Sequence, residues 1–305
     1  MNELENGVSW LHRLGSLVAV MAFFLYMTGT LVSESEPGSF APRWIGLGAG
    51  IEPTANSPDK YVHLYQFFAV ATAVLTVAFV LWLWKGKSHR YLKTLGGITI
   101  GVLVIIALMV LSPLPSLAPT TVSFWYTFGI QVFFCLTVCL ALFTRTDWRW
   151  DEFKTPDLAS PSVRQILVFM TVAVFVQMLL DVGLTRKVTR MGPHLVLGIS
   201  VTVCSLWVLE MALTKFSHLR AFKISAVFLA EVVVLQLFLG IVSYSMQLNT
   251  RAVACPQPGL VVMSVTTAAV GALVLATSLF VTCQGFKYFA SRRFDLDSDM
   301  IRGHQ

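Results

Sequence analysis

Apolar residues fall in eight long runs, near 10–33, 63–84, 95–112, 122–144, 164–182, 194–214, 222–246 and 259–284. Each is long enough to cross a hydrocarbon core of about 30 Å, which takes about 20 helical residues. The pattern predicts an all-α, polytopic membrane protein with eight transmembrane helices. The first run is longer than a signal-peptide core and has no small-residue cleavage site, so it is expected to be retained. The third ends in LSPLPSLAP, whose prolines stop the helix and make the crossing to the fourth extended. The longest inner connection, from Arg145 to Arg164, is polar and proline-broken. It predicts a division into two tandem four-helix halves, residues 1–150 and 151–305. An even number of spans per half inserts both halves the same way up, so a pseudo-two-fold axis along the membrane normal should relate them.

An internal echo points the same way. The stretch from Lys60 to Lys93 opens with His63 and Tyr65, runs through apolar residues from Phe67 to Trp84, and closes on Ser88-His89-Arg90. The order returns with His194, an apolar span from Leu195 to Leu213, and Ser217-His218-Leu219-Arg220. Matching His89 to His218 gives an offset of 129 residues and lays His194 on Tyr65. One copy therefore shows tyrosine where the other shows histidine.

Composition agrees with a protein held almost wholly in the bilayer: 56% of residues are hydrophobic, 12% are charged, and mean hydropathy is +0.72. With both termini in the cytoplasm, sixteen of the 22 basic residues fall on the inner side, as the positive-inside rule requires. The net charge of +6 follows from that bias and calls for no nucleic-acid partner. The expected setting is the cell membrane, with the lipid bilayer as the principal contact. The discordant outer cluster from Arg186 to Arg190 reads as an anion site or as ordinary solvated charge. The long outer loop from Ser33 to Asp59, with Trp44, reads as a lid or, more simply, a passive interfacial loop. Cys135, Cys139, Cys204 and Cys283 lie in spans, Cys255 lies outside, and none has metal-type spacing, so packing is their expected role.

Polar residues inside a membrane are costly and point to function by default. Glu231, deep in the seventh span, stands out for proton handling or an interhelical hydrogen bond, while Asp181 and Glu210 lie nearer span ends. Among the histidines, His63 and His194 sit at outer helix ends, where a neutral imidazole suits an axial haem ligand.

The segments WLHRLGSLVAV and TGTLVS in the first span, WLW with its basic turn after the second, and QVFFCLTVCLALFT in the fourth form a pattern. So do RQILVFMTVAVFVQMLL in the fifth, LQLFLGIVSYSMQL in the seventh and VGALVLATSL in the eighth. Together they resemble the heme A synthases over nearly the whole chain. The resemblance implies a bundle that holds haem (b-type, or haem O and A) at its outer side. The axial histidines would be paired from the second and fourth spans and from the sixth and eighth. It implies oxidation of the C8 methyl of haem O to the formyl of haem A for terminal oxidases, with a glutamate just before the second-span histidine taking part. Carried over by position, Tyr65 stands at the second-span histidine, with Val62 at the glutamate and Gln66 at the following arginine. An alternative register uses His63, with Lys60 and Leu64 at those places. Tyr126 stands at the fourth-span ligand, His194 at the sixth and Thr267 at the eighth, so His194 is the residue expected to reach haem iron.

Three functions follow from this pattern. The chain is a heme A synthase with unorthodox ligation. Alternatively, it is a non-catalytic paralogue acting as an assembly factor or as a subunit of a respiratory membrane complex. The expected partners are haem O synthase, oxidase-assembly components or a second copy of the chain. The third, a transport role using Glu231 and the outer basic loop, is weakened by the lack of Gly/Pro-broken mid-membrane helices.

Overall fold

In hydrocarbon a backbone N–H or C=O has no water to bond, so a crossing segment must satisfy itself as a helix. The computed structural model describes residues 2–35, 59–86, 89–111, 119–145, 148, 161–185, 191–250 and 258–289, which form eight helices. They are α1 (Asn2–Ser35), α2 (Asp59–Lys85), α3 (Arg90–Leu111), α4 (Pro119–Phe143), α5 (Val163–Thr185), α6 (Met191–Thr214), α7 (Arg220–Thr250) and α8 (Pro258–Tyr288). All eight are long and apolar enough to span a membrane. The fold is thus an all-α eight-helix bundle, and most helices run a few residues past the apolar segments that predict them. The lid loop around Trp44, the basic cluster at Arg186–Arg190 and Cys255 lie outside the described residues.

Local chemistry marks several helix ends. Proline opens α4 and α8, where its missing N–H costs nothing. Ser162 precedes α5, and its backbone N–H donates to Gln165 Oε1 at 3.3 Å, one arm of a capping box. At the α2–α3 turn, Trp84 Nε1 donates to the Lys93 carbonyl at 3.0 Å and Lys93 Nζ to the Trp84 carbonyl at 2.9 Å. The WLW motif and the basic turn thereby lock together.

Each of α1 to α4 packs on the next and α4 returns to α1; α5 to α8 form a second ring in the same manner. The rings meet through α1–α8, α4–α8 and α4–α5. That set of contacts maps onto itself when α1 is exchanged for α5 and α4 for α8. A shared core runs through both rings, with Phe133, Leu167, Met170, Leu229 and Leu275 fully buried.

Lipid tails are as apolar as leucine side chains, so helices in a membrane associate through close packing and interhelical hydrogen bonds rather than through the hydrophobic effect. Each ring closes in that way. Between α1 and α4, a Cβ on Gly15 would lie 3.4 Å from the Ala141 Cα, and His12 Nδ1 is 2.9 Å from the Ala141 carbonyl oxygen. Between α5 and α8, Thr282 donates to the Leu167 carbonyl at 3.0 Å and shares a 2.8 Å hydroxyl contact with Thr171. Gly285 lies so close to α5 that an added Cβ would fall 2.5 Å from Leu167 Cδ1. Phe216, Phe222 and Phe289 pack edge to face, with centroids 4.6 to 6.4 Å apart, at the end of the second ring that carries the α6–α7 turn.

Thr282→Val keeps the shape of the side chain and removes both hydrogen bonds between α5 and α8. Interhelical bonds in membranes are worth about 0.6 kcal/mol on average and up to about 1.7. The variant should therefore be destabilised by roughly 1 kcal/mol in a reversible unfolding titration in mixed micelles. Thr266→Val, which loses only a bond to its own helix at Val262, should stay within a few tenths of wild type.

Candidate functional site

Two of the carried-over positions lie in the first ring. Tyr65 on α2 and Tyr126 on α4 are each about two helical turns in from the N-terminal end of their helix. Their exposures are only 2% and 7%. The two phenol hydroxyls hydrogen-bond directly to each other. The ring of Tyr65 lies against Gly29 of α1, where a Cβ would come 3.5 Å from its Cε2. His63 is two residues away, which rotates it through about 200° on a helix, and it is exposed. Of the two registers' residues, His63 is exposed and Tyr65 is the one that points into the ring.

The other two positions, His194 on α6 and Thr267 on α8, line a cavity of about 210 Å³ in the second ring, near the N-terminal end of α6. All four helices of that ring contribute to its walls, together with Tyr26 of α1. Its polar lining includes Gln177 and Asp181 of α5, His194 of α6, Gln236 and Tyr244 of α7, and Thr267 of α8. Asp181 and His194 interact electrostatically. Glu231 lies elsewhere. It is exposed on the outer surface of α7, so the expectation of a proton-handling or interhelical role inside the bundle gives way, and the carboxylate at the cavity is Asp181.

A spacing rule places these groups. Gln177 and Asp181, His194 and Gly198, Gln236 and Gly240, and Thr267 and Gly271 are pairs at i and i+4, so each pair shares one helix face. The glycines admit side chains from neighbouring helices. A Cβ on Gly198 would lie 3.2 Å from Gln177 Nε2, and one on Gly271 would lie 3.4 Å from Gln236 Nε2. A Cβ on Gly240 would meet nothing within 4 Å. Sequence reasoning found His194 and Thr267 but passed over Gln177, Gln236 and Tyr26. The recurring polar residue with a partner one turn on was the signal that could have found the two glutamines.

The hydrogen-bond account is uneven. Thr267 donates to the Met263 carbonyl at 2.9 Å and Thr202 to the Gly198 carbonyl at 2.8 Å, so both hydroxyls are satisfied within their own helices. His194 Nδ1 and Gln236 Oε1 are buried and have no hydrogen-bond partner. Among the described residues no cluster of three or more His, Cys, Asp or Glu side chains is arranged to hold a metal ion.

Haem can be tested against this geometry. In the first ring the two phenols bond to one another and leave no gap for an iron between them. In the second, His194 offers one imidazole, while the hydroxyl of Thr267 is turned to its own backbone. A cavity of about 150 Å³ holds one benzene, so about 210 Å³ suits one substituted ring. A four-pyrrole macrocycle exceeds this cavity.

No family model matches the chain, and no curated protein matches it. The functional argument therefore rests on the tyrosine pair and the cavity.

The tyrosine pair makes a sharp prediction through a double-mutant cycle. Tyr65→Phe or Tyr126→Phe alone strands the partner hydroxyl in an apolar interior, at a cost of roughly 1–3 kcal/mol. Removing both hydroxyls removes the stranded group as well. The double variant should therefore unfold at a denaturant concentration closer to wild type than the sum of the two single losses. Strictly additive losses would show that the hydroxyls do not bond to each other.

Proposed function

We propose that this chain is a heme A synthase-like integral membrane protein of haem A biosynthesis and cytochrome oxidase assembly that does not itself oxidise haem O. The carrying observation is the hydrogen bond between Tyr65 and Tyr126. It lies where the resemblance calls for a pair of imidazoles on either side of a haem. A phenol ligates iron as the phenolate, and a buried charge without a counter-charge is costly in an apolar bundle. Here each phenol has the other as its partner, so the pair bridges α2 and α4, which do not otherwise pack on each other, across the first ring.

The family reaction as carried over also needs a carboxylate before the second-span ligand. Val62 stands there in the register that points Tyr65 inward. Glu231 does not supply the missing group, because it faces out from α7. What the chain keeps is the architecture and one polar cavity in the second ring. Those are the parts a non-catalytic paralogue needs to bind a small molecule or to stand in a respiratory membrane complex. In this reading the protein sits in the cell membrane with both termini in the cytoplasm, and it acts beside haem O synthase or oxidase-assembly components.

Expressed in a strain that makes haem O but lacks its own heme A synthase, the chain should insert stably into the membrane fraction. The extracted haems should then contain haem O and no haem A on chromatography. Haem A in that extract would overturn the reading.

A further inference from the structure

The walls of the second-ring cavity are not alike. Its lining from α1, α5 and α8 is buried or half-buried, and Val174, Val201, Val233 and Val274 are buried. Every exposed lining residue belongs to α6 or α7: Leu195 (51% exposed), Ile199 (61%), Leu237 (42%), Ile241 (62%) and Tyr244 (39%). The cavity therefore opens sideways between α6 and α7, through apolar residues at the depth of the bilayer. Gly240 stands in this wall, where a Cβ would meet nothing within 4 Å. A ligand enters here from hydrocarbon, and an apolar tail can remain in the gap while the head group sits inside.

The head group is constrained from three directions. First, the space suits one substituted ring. Second, the lining carries a carboxyl group, Asp181, and among the described residues no lysine or arginine, which favours an uncharged head group over a phosphate. Third, the buried groups left without partners are an imidazole nitrogen, His194 Nδ1, and an amide oxygen, Gln236 Oε1. Imidazole and carboxamide can each donate or accept a hydrogen bond. The head group should therefore be neutral and single-ringed, with two hydrogen-bonding positions that change between acceptor and donor.

From this geometry we infer that the cavity binds an isoprenoid quinone and its quinol, with the ring between His194 and Gln236 and the tail leaving past Gly240 between α6 and α7. In the quinone, the ring carbonyls accept from the imidazole N–H and the carboxamide NH₂. In the quinol, the hydroxyls donate to the imidazole nitrogen and the carboxamide oxygen. The inference goes beyond the oxidase-assembly reading and does not require it, since the haem extract and quinone binding are separate measurements.

The test uses the full-length protein in nanodiscs, photolabelled with a tritiated azido-quinone and competed with decylubiquinone or its quinol. Label should map to α6 or α7, and both competitors should displace it. His194→Ala and Gln236→Leu should each weaken decylubiquinone about tenfold, the scale of one lost hydrogen bond. Gly240→Phe should suppress labelling by filling the gap, and the lipid-facing Thr266→Val should leave it unchanged. Each variant is first shown to be monodisperse with wild-type helicity, and two independent head-group variants guard against misfolding of either. Label that does not saturate, or that maps outside the second ring, would overturn the assignment. So would unchanged affinity in both head-group variants, or displacement by hemin with a His194-dependent Soret band.

Discussion

A polar atom without a partner in hydrocarbon is expensive, and this requirement governs the structure more than any single contact. The spans contain many serines and threonines, and most return their hydroxyl to a carbonyl one turn back. Thr28, Thr76, Thr99, Thr137, Thr144, Ser205, Ser225 and Ser278 do so on buried faces. A few reach across instead, and those crossings hold helices together: Thr282 with α5, and Tyr65 with Tyr126. Thr72 Oγ1, the Gln131 amide and Gln284 Oε1 are also buried without partners, but His194 Nδ1 and Gln236 Oε1 are on residues that line one cavity, where a ligand could satisfy both.

The two rings solve one geometric problem in different ways. In each, two helices on opposite sides of the ring contribute a position near their N-terminal ends: α2 with α4, and α6 with α8. The first ring places two long phenols there, and they meet. The second places an imidazole opposite a threonine whose hydroxyl is already spent, with Gly198, Gly240 and Gly271 thinning the walls. A cavity that holds two unpartnered buried atoms, His194 Nδ1 and Gln236 Oε1, therefore lies in the second ring. The side open to lipid is the one where α6 and α7 present Ile199 and Ile241 rather than a closed seam.

Much of this was legible in the chain. Eight apolar runs gave eight helices in the expected order because length and hydropathy decide whether a segment crosses a membrane, and both are local properties. The offset lays His194 on Tyr65, and of the two candidate residues of α2 Tyr65 is buried and His63 exposed. Which face of a helix meets lipid was harder to read. The spans are apolar all round, so Glu231 looked interior when it is not, and Asp181 looked marginal when it lines the cavity. The glutamines were missed because the residues they lie against, Gly198 and Gly271, are glycines on other helices. Such neighbours become visible only once packing brings the helices together.

The central claim is that the first ring is closed by its tyrosines while the second holds a lipid-accessible cavity. It is tested most directly by an experimental structure of the protein in lipid nanodiscs, at a resolution that shows side chains. The account predicts continuous density from the Tyr65 hydroxyl to that of Tyr126. It also predicts non-protein density of one-ring size beside His194 and Gln236, extending between α6 and α7. A flat macrocycle separating Tyr65 from Tyr126 would contradict it.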